Sequence, residues 1–175
     1  MSLRSFGQEK DLDIDKHLWG QNRTIVMSFI NAGHRDFIFV DRTHFGLMFE
    51  KYDSCNDETF LKFILTKTNG LKKCELIKYD NCGQTRVTTD SKVLKFFTEN
   101  REQINRDSIE ENVYVDHTVR YSLYEIKNGK LMTYKSFCKE CVDWEDKATK
   151  EKNQNLKLYQ FFDTLDEELS KMIAN

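Results

Sequence analysis

Thr59-Phe-Leu-Lys-Phe-Ile-Leu-Thr-Lys-Thr-Asn-Gly-Leu-Lys-Lys-Cys-Glu-Leu-Ile-Lys-Tyr79 sets two β-prone runs either side of Asn69-Gly70. Asn-Gly supplies positive φ at both central positions of a type I′ turn, whose twist matches the strands it joins, so the stretch reads as a β-hairpin. A two-residue loop there pairs Leu65 with Cys74, Phe63 with Leu76 and Leu61 with Lys78. Because side chains alternate at period two, Leu61, Phe63, Leu65, Cys74 and Leu76 then share one apolar face. Lys62, Thr66, Lys73 and Glu75 fall on the other, which reads as the wetter face.

The same signals extend outward. Arg23 to Ile30 is short and dense in β-branched and aromatic residues, which favours a strand. A helix from Asp15 to Asn31, capped at Gly33, is the competing reading. Asn31 to His34 turns the chain into a strand over Asp36–Val40, and Thr43–Phe49 follows after a break as a further strand. Asp53 to Asp57 is a turn cluster. Asp80-Asn-Cys-Gly83 suits a three-residue reversal with Gly83 left-handed, pairing Thr85–Thr88 back onto the hairpin. Asp90-Ser91 caps a helix over Lys92–Arg106, with Val93, Phe96, Phe97 and Ile104 on one stripe. Val113–Ile126 resumes β pattern. Asn128-Gly129 then makes a second type I′ hairpin with Leu131–Phe137, and its register gathers Val119, Tyr121, Leu123, Met132 and Tyr134. Asn155–Ile173 places Leu158, Phe161, Phe162, Leu165, Leu169, Met172 and Ile173 at helical spacing. The glycines at 7, 20, 33 and 46 recur without any accompanying side-chain pattern and mark no repeat.

These readings give an α+β fold: a mostly antiparallel meandering sheet of about six to eight strands, with two or three helices, chiefly 91–106 and 155–173, packed on one face. Residues 15–175 are expected to form one domain, long enough to bury a core without staples, and polar residues 1–14 a flexible arm. No intact signal peptide is present, but Met1-Ser2-Leu3 reads as a cloning leader on an exported protein cut at its boundary, and Ser5-Phe6-Gly7 has the small-x-small form of a cleavage site. Together they lean the reading toward an exported protein over a cytoplasmic one.

With 27 Lys and Arg against 29 Asp and Glu, the surface is of mixed sign. It offers no general field for nucleic acid or for acidic membranes. Lys67, Lys72, Lys73, Lys78, Arg86, Lys92 and Lys95 make the middle locally basic, and such a cluster is ordinarily a solvated face. No apolar run approaches a membrane span, so no membrane insertion is expected.

Cys138-Lys-Glu-Cys141 is the one motif with chemical potential. It follows a strand and precedes a helical-looking stretch over Val142–Lys152, the local order in which thioredoxin-like proteins activate a thiol. Such a fold would continue with further strands, whereas only helical sequence follows here. The second hairpin's register also sets Cys138 opposite Val119, on the apolar face. Glu140, Asp143, Glu145 and Asp146 around Cys141 disfavour a thiolate, with only Lys139 acting the other way. Zinc needs four ligands, and among Cys55, Cys74, Cys82, Cys138 and Cys141 only one pair has standard spacing. If a disulfide forms, Cys138–Cys141 or a pairing across elements suits it better than Cys74–Cys82, whose positions on the hairpin lie too far apart. His17, His34, His44 and His117 stand at no metal or triad spacing. Phosphate-binding loops, dinucleotide fingerprints and hydrolase elbows are absent from the sequence. Asn22-Arg-Thr24 is a glycosylation sequon if the chain is secreted by a eukaryote.

The expectation by elimination is therefore a non-enzymatic binding or protein-interaction domain, of the small accessory, exported or bacterial immunity type. It has no catalytic residue, no metal and no cofactor, and a protein as its partner. The alternative is a thiol-dependent redox or metal protein built on Cys138 and Cys141. The sequence sets no oligomeric state.

Overall fold

The computed structural model describes residues 11–44, 60–67, 73–80, 83–90, 92–115 and 118–173. Five helices and six strands run in the order α1 (Ile14–His17), α2 (Gly20–Asn31), β1 (Phe37–His44), β2 (Phe60–Lys67), β3 (Lys73–Asp80), β4 (Gly83–Asp90), α3 (Lys92–Arg106), β5 (Val119–Lys127), β6 (Lys130–Cys138), α4 (Lys147–Gln154) and α5 (Lys157–Ile173). The strands form one antiparallel sheet of order β4-β3-β2-β1-β5-β6. β1 to β4 make the expected meander. α3 then carries the chain across the sheet, so that β5 pairs on the other side of β1. None of the described helices is long and apolar enough to cross a membrane.

The α+β class and the antiparallel sheet follow the reading of the sequence, and α3 has the bounds its apolar stripe predicts. Val93, Leu94, Phe97 and Ile104 of α3 meet Leu158, Phe161, Phe162 and Leu165 of α5 over Ile38, Val40, Phe63, Leu65, Leu123 and Phe137 of the sheet. Phe63, Leu123, Phe161 and Phe162 are wholly buried. Each such side chain contributes roughly 1.5–3 kcal/mol relative to exposure.

The segment read as a strand over Arg23–Ile30 is instead helix α2, the competing reading, though it starts at Gly20 and not at Asp15. Its apolar residues Ile25, Val26 and Phe29 fall at helical spacing and pack on Phe37, Phe39, Ile64, Ile77 and Ile126, on the sheet face opposite α3 and α5. Tertiary burial thus overrides β propensity, as it commonly does for short apolar runs. The helix ends where Gly33, at φ 97°, lets the His34 N–H reach back to Phe29 O at 3.2 Å, a glycine C-cap.

Because α2 covers that second face, it is not wet as expected. Ile64 and Ile77 are fully buried there, and Lys62 and Thr66 are nearly so. Lys62 faces Asp41 directly across the β1–β2 ladder, and their side chains pair at 2.9 Å.

The central hairpin's register differs from the two-residue reading by two positions, with Leu65 opposite Leu76, Lys67 opposite Cys74 and Phe63 opposite Lys78. A slip of two residues conserves the face, which is why the core assignment of Phe63 and Leu65 survives it. The turn itself lies outside the described residues, as do all but the first two residues of the strand expected at 43–49, the turn cluster at 53–57, Ser91, and arm residues 1–10. At the next reversal Asp80 pairs with Gly83, a tighter turn than the three-residue loop expected. β1 runs unbroken through Thr43 to His44. Leu12, in the stretch expected to be a loose arm, bridges to Leu131 with an N–H to carbonyl bond of 2.8 Å.

At the second hairpin, Asn128 and Gly129 take φ of 54° and 74° and Lys127 pairs with Lys130, the expected two-residue turn. A register shift between Glu125 and Ile126 then inserts one residue. From there Tyr124 faces Tyr134, Tyr121 faces Phe137, and Arg120, not Val119, faces Cys138. One inserted residue exchanges the faces of everything beyond it. Met132 and Tyr134 therefore leave the group of Val119, Tyr121 and Leu123, and Phe137 takes their place.

Candidate functional site

β6 ends at Cys138, and the chain turns through Lys139 to Glu145 before Asp146 caps α4 by accepting the Thr149 N–H at 3.0 Å. Cys138 and Cys141 are joined as a disulfide, their Cα atoms 5.4 Å apart. Both residues are buried, at 0% and 4% exposure. The Thr118 hydroxyl stands 3.1 Å from Cys138 Sγ and donates to Glu140 at 2.8 Å, while the Cys138 N–H donates to Glu111 Oε1 at 2.8 Å. The bridge is thus enclosed on the side of the preceding loop as well as by the core.

Three further sets of bonds fasten that loop, residues 107–114, against the turn and α4. The Asn112 and Val113 N–H groups donate to Cys141 O at 2.9 and 3.4 Å. The Asn112 side chain accepts from the Asp143 N–H at 2.8 Å and donates to Asp146 at 2.9 Å. Asn153, buried on α4, closes a two-way grip on the Glu110 backbone at 3.0 and 2.9 Å. The Thr149 N–H, with the Thr149 hydroxyl and Asn112 Nδ2 behind it, holds the Asp146 carboxyl below the ordinary carboxylate range.

Lys139 secures the turn to the core. Its Nζ lies 2.8 Å from Asp163 and from Asp166 on α5, and over the rings of Tyr121 and Tyr159 at 4.9 and 5.2 Å. Burial opposes its charge, but the two carboxylates outweigh burial and raise its pKa. Asp166 also accepts from the Tyr121 hydroxyl at 2.9 Å.

On this braced backbone two large side chains remain in water. Tyr114 is 89% and Trp144 77% exposed, and among the described residues only Trp19 joins them as an exposed large hydrophobic. Tyr114 directly follows Val113, and Trp144 directly follows Asp143, so the two stand on segments that touch through the Asn112 bonds. Glu140, Asp143 and Glu145 lie on the exposed turn around Trp144. The sequence reading, drawn to the cysteines, passed over both aromatics. A signal was present: Asp143, Glu145 and Asp146 flank Trp144, and so acidic a stretch is ordinarily solvated.

The described residues line cavities both at this turn and away from it. One of about 290 Å³ lies behind the turn, between Lys139, Val142, Asn153 and Tyr159. Another, about 470 Å³, opens between α3 and the sheet over Ile38, Leu65, Leu94 and Phe97, and is bounded by the Arg101–Glu125 ion pair. Among the described residues, His, Cys, Asp and Glu nowhere form a group of three able to hold a metal. His34 stacks on Phe29 at 3.8 Å and His17 packs against Tyr134 at 5.0 Å, structural roles for both. In the basic middle of the chain Arg86 pairs with Glu75 and Lys95 with Glu99, giving mixed charge along that surface.

Compared with protein-family models, with curated proteins and with solved structures, the chain matches none.

Proposed function

We propose that this chain is a non-enzymatic protein-binding domain whose docking corner is the pair Tyr114 and Trp144. The observation that carries the reading is that two large aromatics are held largely exposed on backbone braced by a disulfide, two asparagine grips and the half-buried Lys139. Exposed Trp and Tyr are the residues most enriched at binding hot spots, because each buries a large area at little entropic cost on docking. A stiff backbone lowers that cost further, since the partner meets side chains already positioned.

A thiol-based activity is the second reading, favoured by the Cys138–Cys141 bridge. It ranks below the first because both sulfurs lie beneath the surface that a substrate disulfide would have to reach.

The test is site-specific photo-crosslinking in the source cell, with the reactive side chain placed at Trp144 or, as a control, at the exposed Glu102 of α3. A discrete adduct from position 144, absent from position 102 and lost on adding Tyr114→Ala, is expected. Identical adducts from both positions, or none from 144, would count against the proposal.

A further inference from the structure

The two edges of the sheet are treated differently. At the β6 edge, Leu12 bridges to Leu131, the ladder carries a register shift, and the strand opens on the exposed Lys130. These are the devices by which proteins blunt an edge against pairing. At the opposite edge β4 shows neither a bridge nor a register shift among the described residues, and its exposed Arg86 is drawn inward to Glu75 of β3. It pairs with β3 without interruption from Gly83 to Asp90, contains no proline, and exposes Gln84, Thr85, Arg86 and Thr88, with Val87 half-buried. Among the described residues, no strand lies on its outer side. An eight-residue regular edge strand presents a row of backbone donors and acceptors ready to receive another strand.

We infer that β4 pairs antiparallel with β4 of a second copy of this chain, joining two sheets into one across a two-fold axis at Val87. Symmetry narrows the register before any chemistry is considered. A two-fold axis perpendicular to the sheet must keep each strand's two faces matched, so it has to pass through a residue and not between residues. The midpoint of Gly83–Asp90 falls between Arg86 and Val87, and the longest overlaps centre on one or the other. Centring on Arg86 sets two guanidinium groups directly opposite, an unfavourable like-charge pair. Centring on Val87 opposes the strand's one apolar residue to itself, Thr85 to Thr89 and Arg86 to Thr88, with no like charges facing. Thr and β-branched pairs are favourable cross-strand neighbours. The inference is independent of the Tyr114–Trp144 corner, which lies on other elements.

Thr88 provides the test because it is exposed and, in this register, sits opposite Arg86 of the second copy on both sides of the axis. Within its own chain it faces Glu75 of β3. Thr88→Lys should therefore leave or improve monomer stability while adding two like-charge pairs to the dimer, and Thr88→Glu should do the reverse. Sedimentation velocity of the full chain from about 1 µM to about 1 mM is expected to show a concentration-dependent dimer. Thr88→Lys should weaken it about tenfold and Thr88→Glu should tighten it, with thermal melts of dilute protein confirming that both variants fold. A wild-type chain that stays monomeric throughout the range would overturn the inference. So would a dimer whose affinity is indifferent to the charge at position 88.

Discussion

Lys62 Nζ lies 2.9 Å from Asp41 Oδ1, the two residues facing each other across β1 and β2 with side chains only 6% and 15% exposed. Asp41 also accepts from Asn22 Nδ2 of α2 at 2.6 Å and from Thr43 at 3.1 Å. The pair thus ties the helix to the sheet on the face where hydrophobic contacts give way to polar ones. Removing one member of a buried pair strands the other charge, at a typical cost of about 3–5 kcal/mol. Lys62→Met is expected to lose about that much in urea melts. Adding Asp41→Leu should recover most of it, since a buried pair and well-packed apolar residues are often of similar stability. A double variant as unstable as the single one would mean that the bonds to Asn22 and Thr43 matter more than the charge pair.

Phe63 is wholly buried between β2 and the α3–α5 layer. Phe63→Ala should cost about 3–5 kcal/mol from lost transfer energy and the cavity left behind. Denaturant midpoints would report it, and a loss below about 1 kcal/mol would contradict the burial.

Four features of the fold show what the sequence could and could not convey. The Lys92–Arg106 helix and the Asn128-Gly129 turn were legible because their signals are local: an apolar stripe at period 3.6 in one case, and positive φ at two adjacent residues in the other. α2 was misread because Arg23–Ile30 is short and dense in β-branched and aromatic residues, and only the sheet face beneath Ile25, Val26 and Phe29 decides for the helix. The extra residue lies on β6, where Met132 is skipped between Leu131 and Thr133 with no glycine or proline to announce it, so Met132 and Tyr134 were placed on the wrong face. At the candidate site Cys138 and Cys141 were legible as a pair by their spacing. The exposure of Tyr114 and Trp144 was not, because it depends on Asn112 and Asn153 bridging segments more than 30 residues apart.

Tyr121 gives the fold an alkaline limit. Burial first, then the Asp166 charge, pushes its hydroxyl up to about 12, from the ordinary value near 10. Below pH 10 the group is neutral whether the chain is folded or unfolded, and its contribution is fully present. Between pH 10 and 12 the unfolded chain loses this proton while the folded chain keeps it, so stability falls as pH rises through that window. Lys139 and Tyr159, whose pKa values are also raised, act in the same direction. Urea melts at pH 9 and pH 11.5 should show the drop, and Tyr121→Phe should make it shallower. An unchanged slope in that variant would move the alkaline sensitivity elsewhere.

The choice between a docking corner and a thiol activity turns on Cys138 and Cys141. A dithiol that exchanges with substrates needs at least one sulfur at the surface, where a reagent can approach in line with the sulfur it attacks. Here Cys138 is closed off by Thr118, by Glu111 on its backbone N–H and by the core, and Cys141 lies beneath the backbone of Asn112 and Val113. In protein reduced with dithiothreitol and kept folded at pH 7, the peptide carrying both cysteines should take up iodoacetamide slowly, as mass spectrometry would show. Replacing both by Ser should cost no more than about 2 kcal/mol, because a bridge spanning so short a loop constrains the unfolded chain little. The same variant should retain the Trp144 crosslink, since the asparagine grips and Lys139 still hold the loop. Rapid labelling of Cys141 in the folded protein, together with a disulfide reductase activity that the double variant lacks, would displace the docking reading in favour of thiol chemistry.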